Sequence, residues 1–216
     1  VRGRWTYLGR VAGDTTVAPQ RPAKERTRDR LLVALERLLD GNDYADVSAG
    51  QIADEAGLAH GTFYRYFRDK RAALLVAIEL VREAADRERV ALGGPIGTVA
   101  EERARVRAWA GSVLHAPIER RGLLRAWLVV SEADPDVAER RDLRRAASVA
   151  ALVGYLERCI AAGIVSVDDP AALASALLSL FDGVLRAVAA NRDPGARLRA
   201  GVIAVFDRAI FGVQRD

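Results

Sequence analysis

SAGQIADEAGLAHGTFYRYFRDK, residues 48–70, is the stretch that decides how this chain is read. Ser48-x-x-Gln51 has the form of a capping box, in which a hydroxyl takes the third amide of a helix and the glutamine reaches back to the capping residue's own amide. Ile52, Ala53 and Ala56 then form the inward face of a short helix, and Gly57 supplies a tight turn. A second short helix follows over residues 60–66, crowded with aromatic and basic side chains. Phe63 and Phe67 are assigned to the core. The outer face is left to His60, Thr62, Tyr64, Arg65 and Tyr66.

Helix-turn-helix geometry asks for a small residue in the turn, an apolar contact between the helices and a polar outer face on the second helix. This stretch supplies all three. Thr62, the tyrosine hydroxyls and Lys70 suit phosphate oxygens, contacts that fix register on a duplex. Arg65 suits guanine in the major groove. Ser48 sits at a helix start, where amides and the positive dipole end favour a phosphate. A glycine between two short helices is common in helical proteins, so the weight rests on the whole pattern.

Working outward, Leu31, Leu32, Leu35, Leu38 and Leu39 recur at helical spacing and predict a first helix over residues 24–40, ended by Gly41-Asn42. Asp69 caps a fourth helix reaching residue 91, with Leu74, Leu75, Ile78 and Val81 inward. Gly93-Gly94-Pro95 breaks the chain. Thr98-x-x-Glu101 is another capping box, opening a helix to residue 114 that Pro117 interrupts. A helix over residues 123–133 follows. Asp134-Pro135, Asp169-Pro170 and Asp193-Pro194 each pair an N-cap with proline at the first helical position. They start helices reaching residues 162, 190 and 211, the first of them stopped by Gly163. The expectation is an all-α fold of about ten helices without a strand. Its domains are a flexible arm over residues 1–22, a three-helix DNA-binding domain over 23–70, and a larger helical domain over 71–216.

Composition agrees with a globular helical protein: 216 residues, 50% apolar and 29% charged. The net charge of +4 is a mild pointer to a polyanionic partner, and its placement says more. Residues 1–30 carry eight basic and three acidic side chains, whereas residues 21–70 carry nine of each. Positive charge therefore collects in the arm and around Arg65, Arg68, Lys70 and Arg71. The arm reads first as a leader without a role. In a second reading Arg21, Lys24, Arg26 and Arg28 follow a DNA backbone or enter a minor groove. Cys159 is the single cysteine, so no intrachain disulfide forms and a reducing, cytoplasmic setting is expected. No signal-peptide core opens the chain, and no uncharged apolar run reaches membrane-spanning length. Two distant histidines, one cysteine and no phosphate loop, zinc spacing or nucleophile elbow argue against an enzyme, a metal or a cofactor.

Residues 26–75 resemble the N-terminal domain of TetR/AcrR-type transcriptional regulators. The match runs through the Leu-rich first helix, Gly41 to Ser48, Ile52-Ala53, Ala56-Gly57-Leu58, Gly61-Thr62-Phe63-Tyr64, Phe67, Lys70 and Leu74. The resemblance implies a bacterial homodimeric regulator, more often a repressor than an activator, on a near-palindromic operator. It implies phosphate roles for Thr62, Tyr64, Tyr66 and Lys70, and places His60 and Gly61 close to the bases. Three positions depart from the family pattern. Ala59 stands where a serine N-cap is common, Gly50 where a long polar residue often reaches DNA, and Tyr66 where histidine is frequent.

The C-terminal region holds two further readings. Residues 171–181 carry no charge, and Leu173, Leu177, Leu178, Leu180, Phe181, Val184 and Leu185 make that helix apolar on nearly all sides. The preceding helix is similar at Val149, Leu152, Val153, Leu156 and Ile160. By analogy with the family, these two helices form a four-helix bundle with a second subunit. A sensor cavity for a mostly apolar small molecule is assigned to Trp109, Leu124, Trp127, Leu128, Tyr155 and Phe181, with His115 and Ser131 as polar anchors. Ordinary core packing is the plainer reading of each of these side chains. The helix after Asp69 joins both domains and is the expected lever between them. The alternative for the whole chain is a helical small-molecule or lipid-binding protein without active DNA binding.

Overall fold

The computed structural model describes residues 23–190 and 196–212. The N-terminal arm and the Asp193-Pro194 start signal lie outside the described residues. Among those described there are nine α-helices, two 3₁₀ turns and no strand. The described residues fall into two compact units that divide between Val81 and Arg82, within one continuous helix.

The first unit holds α1 (Ala23–Gly41), a 3₁₀ turn (Tyr44–Asp46), α2 (Ala49–Glu55), α3 (His60–Tyr64) and the first part of α4 (Lys70–Val90). The leucine stripe of α1 is buried at Leu31, Leu32, Leu35 and Leu39, and the α2–α3 pair buries Ile52, Ala53, Ala56, Phe63 and Phe67. Each helix starts and stops for a local reason. Gln51 N–H donates to Ser48 Oγ at 3.2 Å and Ser48 N–H to Gln51 Oε1 at 2.8 Å, which closes the capping box. Gly57 turns the chain at φ +63°, where a Cβ is disfavoured. Asp69 Oδ1 accepts the Ala72 amide at 2.7 Å and starts α4.

The second unit holds the rest of α4, a 3₁₀ turn (Ala91–Gly93), α5 (Val99–Glu119), α6 (Arg121–Ala133), α7 (Pro135–Ala161), α8 (Pro170–Ala189) and α9 (Ala196–Phe211). α5 lies along α9, α7 packs on α8, and α6 touches α5, α7 and α8. One apolar cluster joins them through Val106, Trp109, Leu114, Leu152, Leu156, Leu177, Val188 and Phe206. The proline starts are in place: Asp134 accepts the amides of Asp136 and Val137, and Asp169 accepts that of Ala172. Gly163 ends the turn after α7 at φ +70°.

Three expectations change. α3 stops at Tyr64, because the amides of Arg65 and Tyr66 turn back to Thr62 and Phe63 in tight i→i+3 bonds, so Tyr66 belongs to the turn. α5 continues through Pro117 to Glu119. Proline there costs a bond only in the last turn, so the helix tolerates it. α8 is not enclosed on nearly all sides by its own chain. Ala174, Leu177, Leu178, Val184 and Val188 are buried, while Ala172, Ser175, Ala176, Ser179, Leu180 and Gly183 face outward. Among the described residues α8 alone is long and apolar enough to cross a membrane by length and composition. Its buried face packs on α7, α6 and α9, as a bundle helix does.

Candidate nucleic-acid interface and effector core

α2 and α3 are seven and five residues long, too short to persist without support. Phe63 anchors the pair from below and is fully buried. Its ring meets Phe67 at 5.6 Å and Tyr64 edge-on at 5.5 Å. With Phe63 fixed inward, the rest of α3 is turned out. Tyr64 is 56% exposed, His60, Gly61 and Arg65 are exposed, and Thr62 and Tyr66 are half-buried. A Cβ on Gly61 would meet nothing within 4 Å, so its backbone stands open to a close partner.

Of the six residues expected to meet DNA from 60–66, four are thus exposed and two half-buried. Ser48 lies at the start of α2 with its hydroxyl engaged by Gln51 Oε1 at 2.8 Å. Gly50 has a specific neighbour: a Cβ there would fall 2.5 Å from His60 Cε1 and 2.7 Å from Nδ1. The missing side chain on α2 is the space into which the His60 ring folds, and this accounts for the departure from the family pattern at Gly50.

Lys70 is used differently from the expectation that it holds a phosphate. Its Nζ donates to the carbonyls of Tyr44 at 2.7 Å, Ala45 at 3.1 Å and Val47 at 2.7 Å, and lies 4.5 Å from the centre of the Tyr44 ring. An ammonium has three hydrogens, and all three are spent on the protein. Burial pushes the Tyr44 hydroxyl above its ordinary range, with the Asp69 charge adding to this and Arg71 opposing it. The Ala72 amide holds the Asp69 carboxyl below its ordinary range, against a smaller opposing effect of burial and with help from Arg68.

The residues assigned to an effector site divide. Trp109, Leu124 and Tyr155 are members of the apolar cluster, and Trp127, Leu128 and Phe181 pack against it. His115 does not join them. It lies on the exposed stripe of α5 with Ala104 and Ala108, one helical face away from Val106, Trp109 and Leu114. Its assignment as a polar anchor of this core is therefore corrected. Ser131 is buried, but its hydroxyl donates to Leu128 O at 3.0 Å. The Tyr155 hydroxyl donates to Glu102 Oε2 at 2.9 Å, and both side chains are fully buried. Burial is the main cause pushing the Tyr155 hydroxyl far above its ordinary range, with Glu102 next. Burial likewise raises the Cys159 thiol, so this cysteine stays protonated. The Trp109 indole Nε1 is buried without a hydrogen-bond partner, beside a tilted Phe206 ring at 5.7 Å. Trp127 carries the Arg82 guanidinium over its face at 5.1 Å.

Sequence reading missed Glu102, which sits in the shadow of the capping Glu101. It binds the Gly97 amide at 2.8 Å and Arg105 at 3.0 Å as well as Tyr155. It also missed Arg30, whose Nη2 donates to Ala56 O at 2.5 Å and Gly57 O at 3.3 Å. No local pattern announces a bond across 26 residues. Among the described residues no group of three His, Cys, Asp or Glu side chains is placed to hold a metal ion.

Residues 31–78 match the family described as bacterial regulatory proteins, tetR family. The HTH-type transcriptional regulator EthR of Mycobacterium tuberculosis is 36% identical over 66 residues, and that of Mycolicibacterium smegmatis 35%. The matched stretch covers 31% of this chain and about a third of these curated relatives, 31% and 30% of their lengths. Solved structures extend the likeness of fold to most of the chain. A TetR transcription regulator from Haloarcula marismortui aligns with a TM-score of 0.69 at 19% identity, covering 86% of this chain and 98% of its own. A putative transcriptional regulator from Saccharomonospora viridis, in complex with choline, aligns at 0.68 and 22% identity, covering 88% and 100%. Residues 31–78 thus match the tetR family of bacterial regulatory proteins, on a chain whose all-helical fold is similar to that of a solved TetR regulator.

Proposed function

We propose that this regulator binds a near-palindromic operator as a homodimer, most simply as a repressor, and is released by a small, mostly apolar effector. In this reading residues 23–70 form the DNA-binding domain and residues 71–216 the sensing and dimerising one. The observation that carries the proposal is the outward set His60, Gly61, Tyr64 and Arg65 over a buried Phe63. Tyr64, Thr62 and Tyr66 hold phosphate oxygens, and Arg65 reads a guanine edge.

What α7 and α8 leave uncovered supports the homodimer. Leu152, Leu156, Leu177, Leu178 and Val184 are spent on the subunit's own core. The outward residues are small: Ala146, Ala147, Ala150 and Ala151 on α7, and Ala172, Ser175, Ala176 and Gly183 on α8. Small side chains let helices of a second subunit approach closely, and Leu143 and Leu180, 66% and 38% exposed, gain cover in the process. A dimer places two copies of α3 about 34–36 Å apart, or a multiple of that, in successive major grooves. An effector that changes this spacing removes the gain from binding both half-sites at once. The unpartnered Trp109 N–H offers such an effector one hydrogen bond inside a mostly apolar core.

The test is selection of duplexes from a random-sequence pool, followed by gel shift and light scattering. The proposal expects a two-fold symmetric selected site bound by two chains. Recovery of no preferred duplex, or binding of single chains to asymmetric sites, overturns it.

A further inference from the structure

The candidate reading helix is held in part by side chains from α1 and α4 that grip backbone carbonyls. α2 and α3 have twelve residues between them, and neither can hold its own attitude. Two cations brace α2, one at each end. Arg30, on α1, donates to Ala56 O and Gly57 O, carbonyls of the turn that leads from α2 into α3. Lys70, the first residue of α4, donates to Tyr44 O, Ala45 O and Val47 O, in the loop that delivers the chain to the N-cap Ser48. The braces come from different helices and reach across 23 to 27 residues of sequence. Carbonyls in a turn have no ladder partner and must find donors elsewhere.

We infer that Arg30 and Lys70 are positioning residues: they set the angle of the helix-turn-helix toward DNA by gripping the backbone at both ends of α2, and Lys70 acts without touching a phosphate. This rests on the DNA-binding reading above, and it changes what Lys70 contributes. A phosphate contact adds one counterion to the salt dependence of binding, whereas a brace adds none. The brace acts through the order of residues 44–58.

The experiment uses the full chain and a short duplex that the wild type selects from a random-sequence pool. Affinity is measured over a range of salt, and amide hydrogen exchange is followed without DNA. Lys70→Ala is expected to weaken binding about tenfold or more, as charge-assisted bonds are lost, with the salt slope unchanged. Exchange should quicken in residues 44–52. Arg30→Ala should quicken exchange around residues 56–58 and weaken binding likewise. Lys70→Gln, whose amide still donates to carbonyls without a charge, should recover part of the affinity and covers the case in which Lys70→Ala does not fold. A salt slope that falls by about 1.8 for a dimer losing one contact per subunit, with exchange unchanged, makes Lys70 a phosphate ligand and overturns the inference. So does unchanged affinity in both alanine variants. If the wild type selects no duplex, the DNA reading fails by itself, and the exchange measurements still decide whether the two side chains brace α2.

Discussion

The two units of this chain solve stability in different ways. In the first, α2 and α3 are short, and side chains of α1 and α4 reach in to hold their connecting backbone. In the second, helices of 13 to 27 residues bury long apolar faces against each other. Polar groups there close joints. Arg103 donates to Gly212 O at 2.8 Å, Arg105 to Pro95 O at 3.0 Å, and Arg107 meets Asp207 through two bonds of 3.1 and 3.0 Å. The helix-turn-helix is built from small braced parts, and the second unit from long helices that bury one another's apolar faces.

The largest expected effect breaks the comparison at the cores. Phe63→Ala and Leu156→Ala both remove fully buried side chains. Each should destabilise its own unit by about 3–5 and 2–5 kcal/mol respectively. Denaturant unfolding, read by hydrogen exchange in each unit, checks whether the loss stays local; equal loss of protection in both units would make the division at Val81 irrelevant to stability.

Next comes the face of α8. Leu177 is 3% exposed and belongs to the core, so Leu177→Glu should unfold the second unit rather than split a dimer. Its neighbour Ala176 faces outward. Ala176→Arg should keep the fold by circular dichroism and give single subunits by light scattering. An intact dimer in that variant would remove α8 from the interface.

Smaller effects sharpen the first unit. Asp69→Ala should cost about 1 kcal/mol at neutral pH, the usual value of an N-cap. Its carboxyl titrates below the ordinary 3.8 in the folded chain. The cap is therefore at full strength above that value and weakens as pH falls through the lower folded one. Acid unfolding of wild type against Asp69→Asn, which caps without titrating, should diverge only below about pH 4. Gly50→Ala should change stability by no more than about 1 kcal/mol, because helix propensity gains what the displaced His60 ring loses. Its readout is the selected DNA sequence, which should shift if His60 reads bases from its seat on Gly50.

Most of the fold was legible because helix punctuation is local chemistry. Ser48 with Gln51, Thr98 with Glu101, Asp134-Pro135 and Asp169-Pro170 act over three residues and are found where the pattern put them. The end of α3 is legible only to within two residues, since nothing in Arg65-Tyr66 marks a stop. Pro117 reads as a break in the sequence alone, but a proline's cost depends on how much helix follows it. At the candidate site, the exposure of Tyr64 and Arg65 was legible because they lie off the face that Phe63 and Phe67 bury. Its supports were not legible. The Lys70 and Arg30 bonds join residues far apart in sequence, and only the folded chain brings them into reach. On α8 the composition announced burial without saying which residues serve the subunit's own core, and small residues took the outward face that leucines were expected to fill.

Cys159 is the chain's single thiol, fully enclosed and held protonated by its surroundings. A cysteine placed at an exposed position such as Asp54 on α2 would therefore react with a spin or fluorescent label almost alone. Two labelled copies in one assembly would turn the gap between reading heads into a measured length, with and without a candidate inducer.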